Sequence, residues 1–270
     1  MRLIRRSIVM AGLLLALAAP CYAEKIVMAG STTVLPIAQK AAEIYMQENS
    51  SADISVRGGG SGVGIASIID GTCDIGNASR PIKSAELEKA AANGRDVKAH
   101  VVAMDGIAVI VNTSNSIEGL SKKQLKDIFT GAVSNWSKLG GSDEKIVAIS
   151  RDSSSGTFEA FATLALDGAK VRSDAVLQAS NQAVASTVAR TPGAIGYVGL
   201  GYITPSVKAL PINGTMPSKT TVLTNKYILS RPLFMYTNGA PSGLVKEFLD
   251  FIKSSRGQQI ADEEGFVALR

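Results

Sequence analysis

The sequence predicts an α/β protein with mainly parallel sheets flanked by helices, and three observations carry that expectation. Short apolar runs alternate with segments whose apolar residues recur at helical spacing. Each of several strand-like runs breaks into a turn rich in glycine or hydroxyl residues just before a helical pattern begins. This strand–turn–helix order recurs along the chain, as parallel βαβ units require.

The first strand is expected at residues 25–29, broken by Gly30-Ser31-Thr32-Thr33 ahead of a helix over 34–48, where Pro36 occupies a tolerated first-turn position. A strand over 53–57 runs into Gly58-Gly59-Gly60-Ser61-Gly62, and Ile65, Ile68 and Ile69 mark a helix over 63–70. The run 74–78 reads as a strand ending in Ser79-Arg80-Pro81, and 83–92 alternates charge with alanine as an exposed helix does. Two strands are expected at 97–103 and 107–111, with Met104-Asp105-Gly106 as the break between them. Ser121 with Gln124 three residues on is a capping-box pattern that opens a helix to 129, and a polar loop over 130–143 surrounds Trp136, expected as a packing or lobe-surface residue rather than a ligand. Residues 146–150 form an apolar strand, followed by Arg151-Asp152-Ser153-Ser154-Ser155-Gly156-Thr157-Phe158 and a helix marked by Phe158, Phe161, Ala162 and Ala165. A helix over 183–190 stops at Thr191-Pro192-Gly193, strands are expected at 194–198 and, despite Pro232, at 227–236, and an amphipathic helix covers 243–253.

The 270 residues begin with a segment of a different kind. Arg2, Arg5 and Arg6 precede an apolar run over 8–19 and then Cys21-Tyr22-Ala23, the layout of a cleaved signal peptide spanning 1–23. The expectation is export to the periplasm as a soluble protein. A lipid anchor on Cys21 is disfavoured by Pro20, where lipoprotein signals carry a small residue. Removal of 1–23 lowers the net charge from +5 to +2, so basicity supplies no reason to expect a nucleic-acid partner. It also leaves Cys73 as the single cysteine, without a disulfide partner and expected as a small buried residue.

Chemistry concentrates at the strand-ending turns. The loop from Arg151 places a permanent cation, several hydroxyls and the free N–H groups of Ser155, Gly156 and Thr157 at a helix start, which together suit an oxyanion. The plainer alternative is that Ser155 only caps the helix and Arg151 is a surface cation. Similar turns stand at Ser31–Thr33, at Gly60-Ser61-Gly62, where glycine permits close backbone approach, and at Ser79-Arg80. Four such turns without an ionisable base among the hydroxyls describe a dehydrating cage for a small tetrahedral anion.

These motifs, in order, resemble those of the periplasmic phosphate-binding proteins of Pst-type ABC transporters. The resemblance is carried by Ala29-Gly30-Ser31-Thr32-Thr33-Val34-Leu35-Pro36, Gly59-Gly60-Ser61-Gly62, Asp74-Ile75-Gly76-Asn77-Ala78-Ser79-Arg80-Pro81, Asp105-Gly106-Ile107-Ala108-Val109, Ile128-Phe129-Thr130-Gly131 with Asn135-Trp136, Arg151 with Ser155-Gly156-Thr157, and Gly193-Ala194-Ile195-Gly196-Tyr197. It covers nearly all of the chain after residue 23. It implies a type II periplasmic-binding-protein fold with a ligand cleft between two lobes: residues 24–110 with 200–270, and an inserted lobe over 111–199. It further implies a monomer that binds inorganic phosphate without cofactor or metal and delivers it to an inner-membrane permease.

By position, the resemblance makes Ser31, Thr32, Thr33 and Ser61, beside Gly60, ligands from one lobe, and Arg151, Ser155, Gly156 and Thr157 ligands from the other. Ser79 stands where many family members carry an aspartate that accepts the phosphate proton, so the acceptor must lie elsewhere. Asp105 is the candidate, with a solvated turn aspartate as the alternative. Arg80 is either a second cation of the site or the partner of Asp105. Two rival functions are a receptor for sulfate, molybdate or tungstate and a phosphatase-like enzyme. Against the enzyme, the only histidine, His100, sits in an apolar strand away from any metal-spaced cluster, and neither a nucleophile elbow nor a P-loop is present.

Overall fold

The structure, a computed structural model, is described for residues 24–269. The expected signal peptide and Cys21 lie outside the described residues. In chain order the elements are β1 (Glu24–Gly30), α1 (Leu35–Glu48), β2 (Ala52–Gly58), α2 (Ser61–Asp70), β3 (Ile75–Ala78), α3 (Ser84–Ala92), β4 (Val97–Asn112), α4 (Lys122–Thr130), β5 (Val147–Arg151), α5 (Gly156–Leu164), β6 (Val176–Gln178), α6 (Asn181–Arg190), β7 (Ala194–Gly199), β8 (Val207–Leu210), α7 (Lys219–Leu223), β9 (Ser230–Asn238), α8 (Gly243–Lys253) and α9 (Ser255–Glu263). No helix among the described residues is long and apolar enough to cross a membrane.

The strands follow the order β2-β1-β3-β9-β4-β7-β5-β6, with β8 paired to β4. The outer pairs, β1 with β2 and β3, and β5 with β6 and β7, are parallel. The central strands β4 and β9 pair antiparallel with each other and with their neighbours, so the sheet as a whole is mixed. Parallel strands therefore build the two flanks that carry the turns, while the antiparallel pair spans the middle.

Residues 97–112 form one strand rather than the two expected. Strand β9 runs beside residues 97–106, pairing Asp105 with Arg231 and Gly106 with Ser230 across the expected break, with a register slip only between Val101 and Ala103, and β7 and β8 take over along 107–112. A long partner thus holds extended a segment whose Asp-Gly pair reads locally as a break. Pro232 fits in β9 opposite Met104 because the Met104 N–H and C=O point the other way, to Val267 at 2.8 and 2.9 Å.

Two large cores flank this centre. One gathers Ile26, Met28, Val34, Ile37, Ile75, Leu233, Phe248 and Ile260, with a smaller cluster of Ile65, Ile68 and Tyr236 beneath α2. The other gathers Ile107, Val109, Leu125, Phe129, Trp136, Phe161, Val184 and Tyr197. Val207, Leu210, Ile212, Val222, Tyr227 and Leu229 pack in this second core, although the sequence boundary at 199/200 assigns them to the first. The reason is β8, which pairs with residues 109–112 of β4 and carries the following chain back over that side before β9 crosses. Trp136 packs in the same core and donates its indole N–H to the Gly193 carbonyl at 2.9 Å; Cys73 is a buried free thiol.

Candidate functional site

The turns that follow β1, β2, β3 and β5 meet at one place. Beyond β1, Gly30 takes a positive φ and the Ser31 N–H reaches the Asn77 carbonyl at 2.8 Å, which turns the chain into α1 and buries Ser31, Thr32 and Thr33. Beyond β2, Gly60 adopts φ 97°, and a Cβ there would lie 2.6 Å from the Ser154 carbonyl oxygen. The same carbonyl accepts the Gly62 N–H at 2.9 Å. Ser61 accepts the Ser79 N–H at 2.9 Å through its hydroxyl, which also lies 3.3 Å from the Ser79 hydroxyl. Opposite them Ser155 caps α5 by accepting the Phe158 N–H, and a Cβ on Gly156 would stand 2.2 Å from the Ser61 Oγ and 3.0 Å from that of Ser79. Thr157 Oγ1 lies 2.9 Å from Thr33 Oγ1. The plain cap and the cradle are therefore not alternatives: Ser155 caps, and the helix start it caps faces the other turns. Among the described residues, no hydrogen bond uses the N–H of Gly156 or Thr157.

Arg151 is not a surface cation; it is 1% exposed. Its Nε and Nη2 donate to the carbonyls of Gln178 and Ala179 at 2.9 and 3.0 Å, and the Tyr197 hydroxyl accepts its backbone N–H. Those bonds aim the fork, and Nη1 is left buried without a partner among the described residues. Burial pulls the guanidinium down from its ordinary value, the charge of Asp152 4.0 Å away opposes this, and the cation of Arg231 adds to the downward pull. Arg151 thus keeps a buried, charged donor without an acceptor, which an anion would satisfy.

Arg231 is the functional residue that sequence reasoning missed. Its Nη2 donates to Thr33 Oγ1 at 3.2 Å, Thr157 Oγ1 at 3.0 Å and Asp105 Oδ2 at 2.9 Å, while Nη1 reaches the Ser79 carbonyl at 3.1 Å. The usable signal is an arginine inside the otherwise apolar run 227–236, since an arginine in a buried strand needs a partner. Asn181, also missed, donates to Thr32 and Thr33 hydroxyls at 3.0 Å and accepts the Gly199 N–H at 3.1 Å. An asparagine one position past the Ser180 cap carries no comparable signal.

Asp105 does reach this region, but it is buried rather than solvated, and its partner is not Arg80. Oδ2 accepts from Nε and Nη2 of Arg231, and Oδ1 accepts the Leu200 N–H at 2.9 Å. Burial pushes its carboxyl up from the ordinary value against the pull of Arg231. With both oxygens engaged it orients Arg231. Arg80 leaves the site altogether: Nη1 and Nη2 grip Glu86 at 2.8 and 2.7 Å, and Nε lies 3.0 Å from Glu159. The preceding residue, Ser79, faces the turns while the Arg80 side chain points to α3 and α5, which places two adjacent residues on different surfaces. His100 pairs with the Thr237 hydroxyl at 2.9 Å, away from these residues.

The family model described as the PBP superfamily domain matches residues 18–256. The phosphate-binding protein PstS of Bacillus subtilis is 40% identical over 245 residues, covering 89% of this chain and 79% of its own. That of Borreliella burgdorferi is 35% identical over 260 residues, covering 92% and 91%. Among solved structures, a candidate phosphate ABC transporter substrate-binding protein from Clostridium perfringens with bound phosphate aligns with TM-score 0.86 at 31% identity, over 92% of this chain and 100% of its own.

Proposed function

The chain belongs to the PBP superfamily and, within it, to the PstS phosphate-binding proteins, and from that premise we propose that it binds inorganic phosphate outside the cytoplasm and delivers it to the permease of an ABC transporter. The observation that carries the reading is Arg151: a buried guanidinium aimed by two carbonyls, with one nitrogen left over and a second buried arginine nearby. Leaving a buried donor unpaired costs about 1–3 kcal/mol, which an anion in the site relieves.

Phosphate is held between two lobes. One is built on β1–β3, the first part of β4 and the C-terminal segment from β9; the other comprises about residues 107–229, a return point supported by the packing of β8 and Leu229. Ser31, Thr32, Thr33, Ser61 and Ser79 serve from the first lobe, with Gly60 clearing the approach. Arg151, Ser155, Gly156 and Thr157 serve from the second, and Arg231 and Asn181 tie the two together. Contacts such as Thr33 with Thr157 exist only when the lobes meet, so phosphate and closure favour each other. Hydroxyls both donate and accept, so Ser61, Ser79, Thr33 and Thr157 supply acceptors for the phosphate proton without a free carboxylate.

The protein acts as a monomeric receptor, not an enzyme, exported by residues 1–23 to the periplasm without a lipid on Cys21. Its named relatives are binding proteins, and the one carboxylate among the clustered site residues is tied at both oxygens. Calorimetric titration with phosphate, arsenate and sulfate at two pH values tests this. Phosphate and arsenate are expected to compete at one site, with sulfate at least about 100-fold weaker, a difference of roughly 2.7 kcal/mol. Equal binding of sulfate overturns the phosphate assignment, and hydrolysis of a phosphate ester by the purified protein overturns the receptor role.

A further inference from the structure

A second set of charges joins the two halves outside the anion-binding turns. Arg80, with Glu86 braced against it, and Lys83 stand on the side built around β3 and α3. Glu159 stands in the first turn of α5, where the neighbouring Ala160 and Leu164 pack on the other core. Glu159 Oε2 lies 3.0 Å from Arg80 Nε and 2.6 Å from Lys83 Nζ. The Arg80 side chain is 6% exposed and that of Glu159 19%, so this pair is screened far less than an ordinary surface ion pair. A crevice of about 340 Å³, lined in part by Lys83, Glu159, Leu164 and Pro232, admits solvent ions to its flank.

Position gives these contacts a consequence. Glu159 stands about one helical turn from the Gly156 and Thr157 N–H groups, so an unpaired carboxylate there opposes an anion at the helix start. With Arg80 and Lys83 against it, that charge is balanced. The balance requires the two halves to be in contact, so it stabilises the closed arrangement selectively. We propose that Glu159 is an interlobe latch, paired by Arg80 and Lys83, that sets how long the closed protein retains phosphate. This rests on the phosphate-receptor reading above, and Glu159 is a positioning residue that acts through closure and not by touching the ligand.

The test is release of radiolabelled phosphate into an excess of unlabelled phosphate, for the wild type, Glu159→Gln and Lys83→Gln, at low and high salt. Glu159→Gln is expected to release phosphate about tenfold faster with association changed less than about twofold, the pattern of a contact formed after encounter. Lys83→Gln should move in the same direction by a smaller factor, and added salt should accelerate release from the wild type more than from Glu159→Gln. Unchanged release rates in both variants overturn the latch while phosphate binding stands. Failure of the wild type to bind phosphate overturns the receptor reading and the latch with it. If Glu159→Gln does not fold, Lys83→Gln decides, because Lys83 is largely exposed and its removal leaves the Arg80–Glu86 pair in place; wild-type release rate and salt response in that variant overturn the proposal.

Discussion

Arg231 Nη2 lies 2.9 Å from Asp105 Oδ2, and the two side chains are 4% and 0% exposed. A pair so thoroughly removed from water tolerates loss of one partner poorly, because the survivor is left as an unbalanced buried charge. Arg231→Met should therefore destabilise the protein by about 3–5 kcal/mol in urea unfolding. It should also abolish measurable phosphate binding, since the same guanidinium spans Thr33 and Thr157.

Asp105→Asn keeps the shape of the pair but removes its charge assistance. Phosphate and arsenate affinities should fall together, by about tenfold or more for about 1.5–3 kcal/mol of lost bonding. Discrimination against sulfate should be unchanged, because both Asp105 oxygens are already committed. A loss of discrimination alone in competition titrations would instead make Asp105 the acceptor of the phosphate proton.

Arg151→Lys removes a fork whose three nitrogens are divided between two backbone carbonyls and one free position. A single ammonium cannot be held by Gln178 and Ala179 and also be presented to a ligand in that plane. Phosphate affinity should drop at least about 30-fold by calorimetry, or roughly 2 kcal/mol. The thermal midpoint should move little by comparison.

Gly156→Ala suits the first turn of a helix but sets a methyl group 2.2 Å from the Ser61 Oγ and 2.7 Å from its Cβ. The fold should persist while binding weakens by more than about 100-fold, the loss expected when about 2.7 kcal/mol of closed-state contact is denied. Adding Ser61→Gly removes both clashing atoms and should restore part of the affinity. Calorimetry on the single and double variants separates obstruction from general damage.

Glu86 gives an acid-side prediction. Burial works to raise its carboxyl, but the Arg80 hydrogen bond, the Lys83 N–H and both neighbouring cations outweigh burial and hold it below the ordinary carboxylate value. Its contribution to stability is accordingly full above the unfolded value of about 4.3 and is lost as pH falls through the lower folded value. Unfolding free energy measured from pH 6 downward should decline less steeply below about pH 4.5 in Glu86→Gln than in the wild type.

Much of the local architecture was legible because it is encoded over short spans. The Ser121–Gln124 capping box, the glycine turn before α2 and the amphipathic α8 each declare themselves within a dozen residues and appear with bounds shifted by only a few positions. Strands β6 and β8 and helices α7 and α9 carry no comparable local signal. The first three are short, and α9 follows α8 across Ser254 without a glycine or proline to separate them. The Asp-Gly break in β4 misled for the opposite reason: a strong local signal was overridden by β9 pairing alongside it.

The α/β alternation and the kind of chemistry in the turns are written into the chain locally, because hydroxyls, glycines and helix starts act through backbone groups close to them. Ser31 to Thr33, Ser61, Ser79 and Arg151 to Thr157 all belong to turns that converge. Which charges enter the site depends on how distant segments pack together. Arg80 and Arg231 are both arginines beside a proline; the apolar run around Arg231 says that it needs a partner, but not that it joins Asp105, Thr33 and Thr157 while Arg80 grips Glu86. Their partners lie 6 residues away in one case and 126 in the other. Ion pairing is set by distance in space and by exclusion of water, and both come into existence only when β9 is laid against β4.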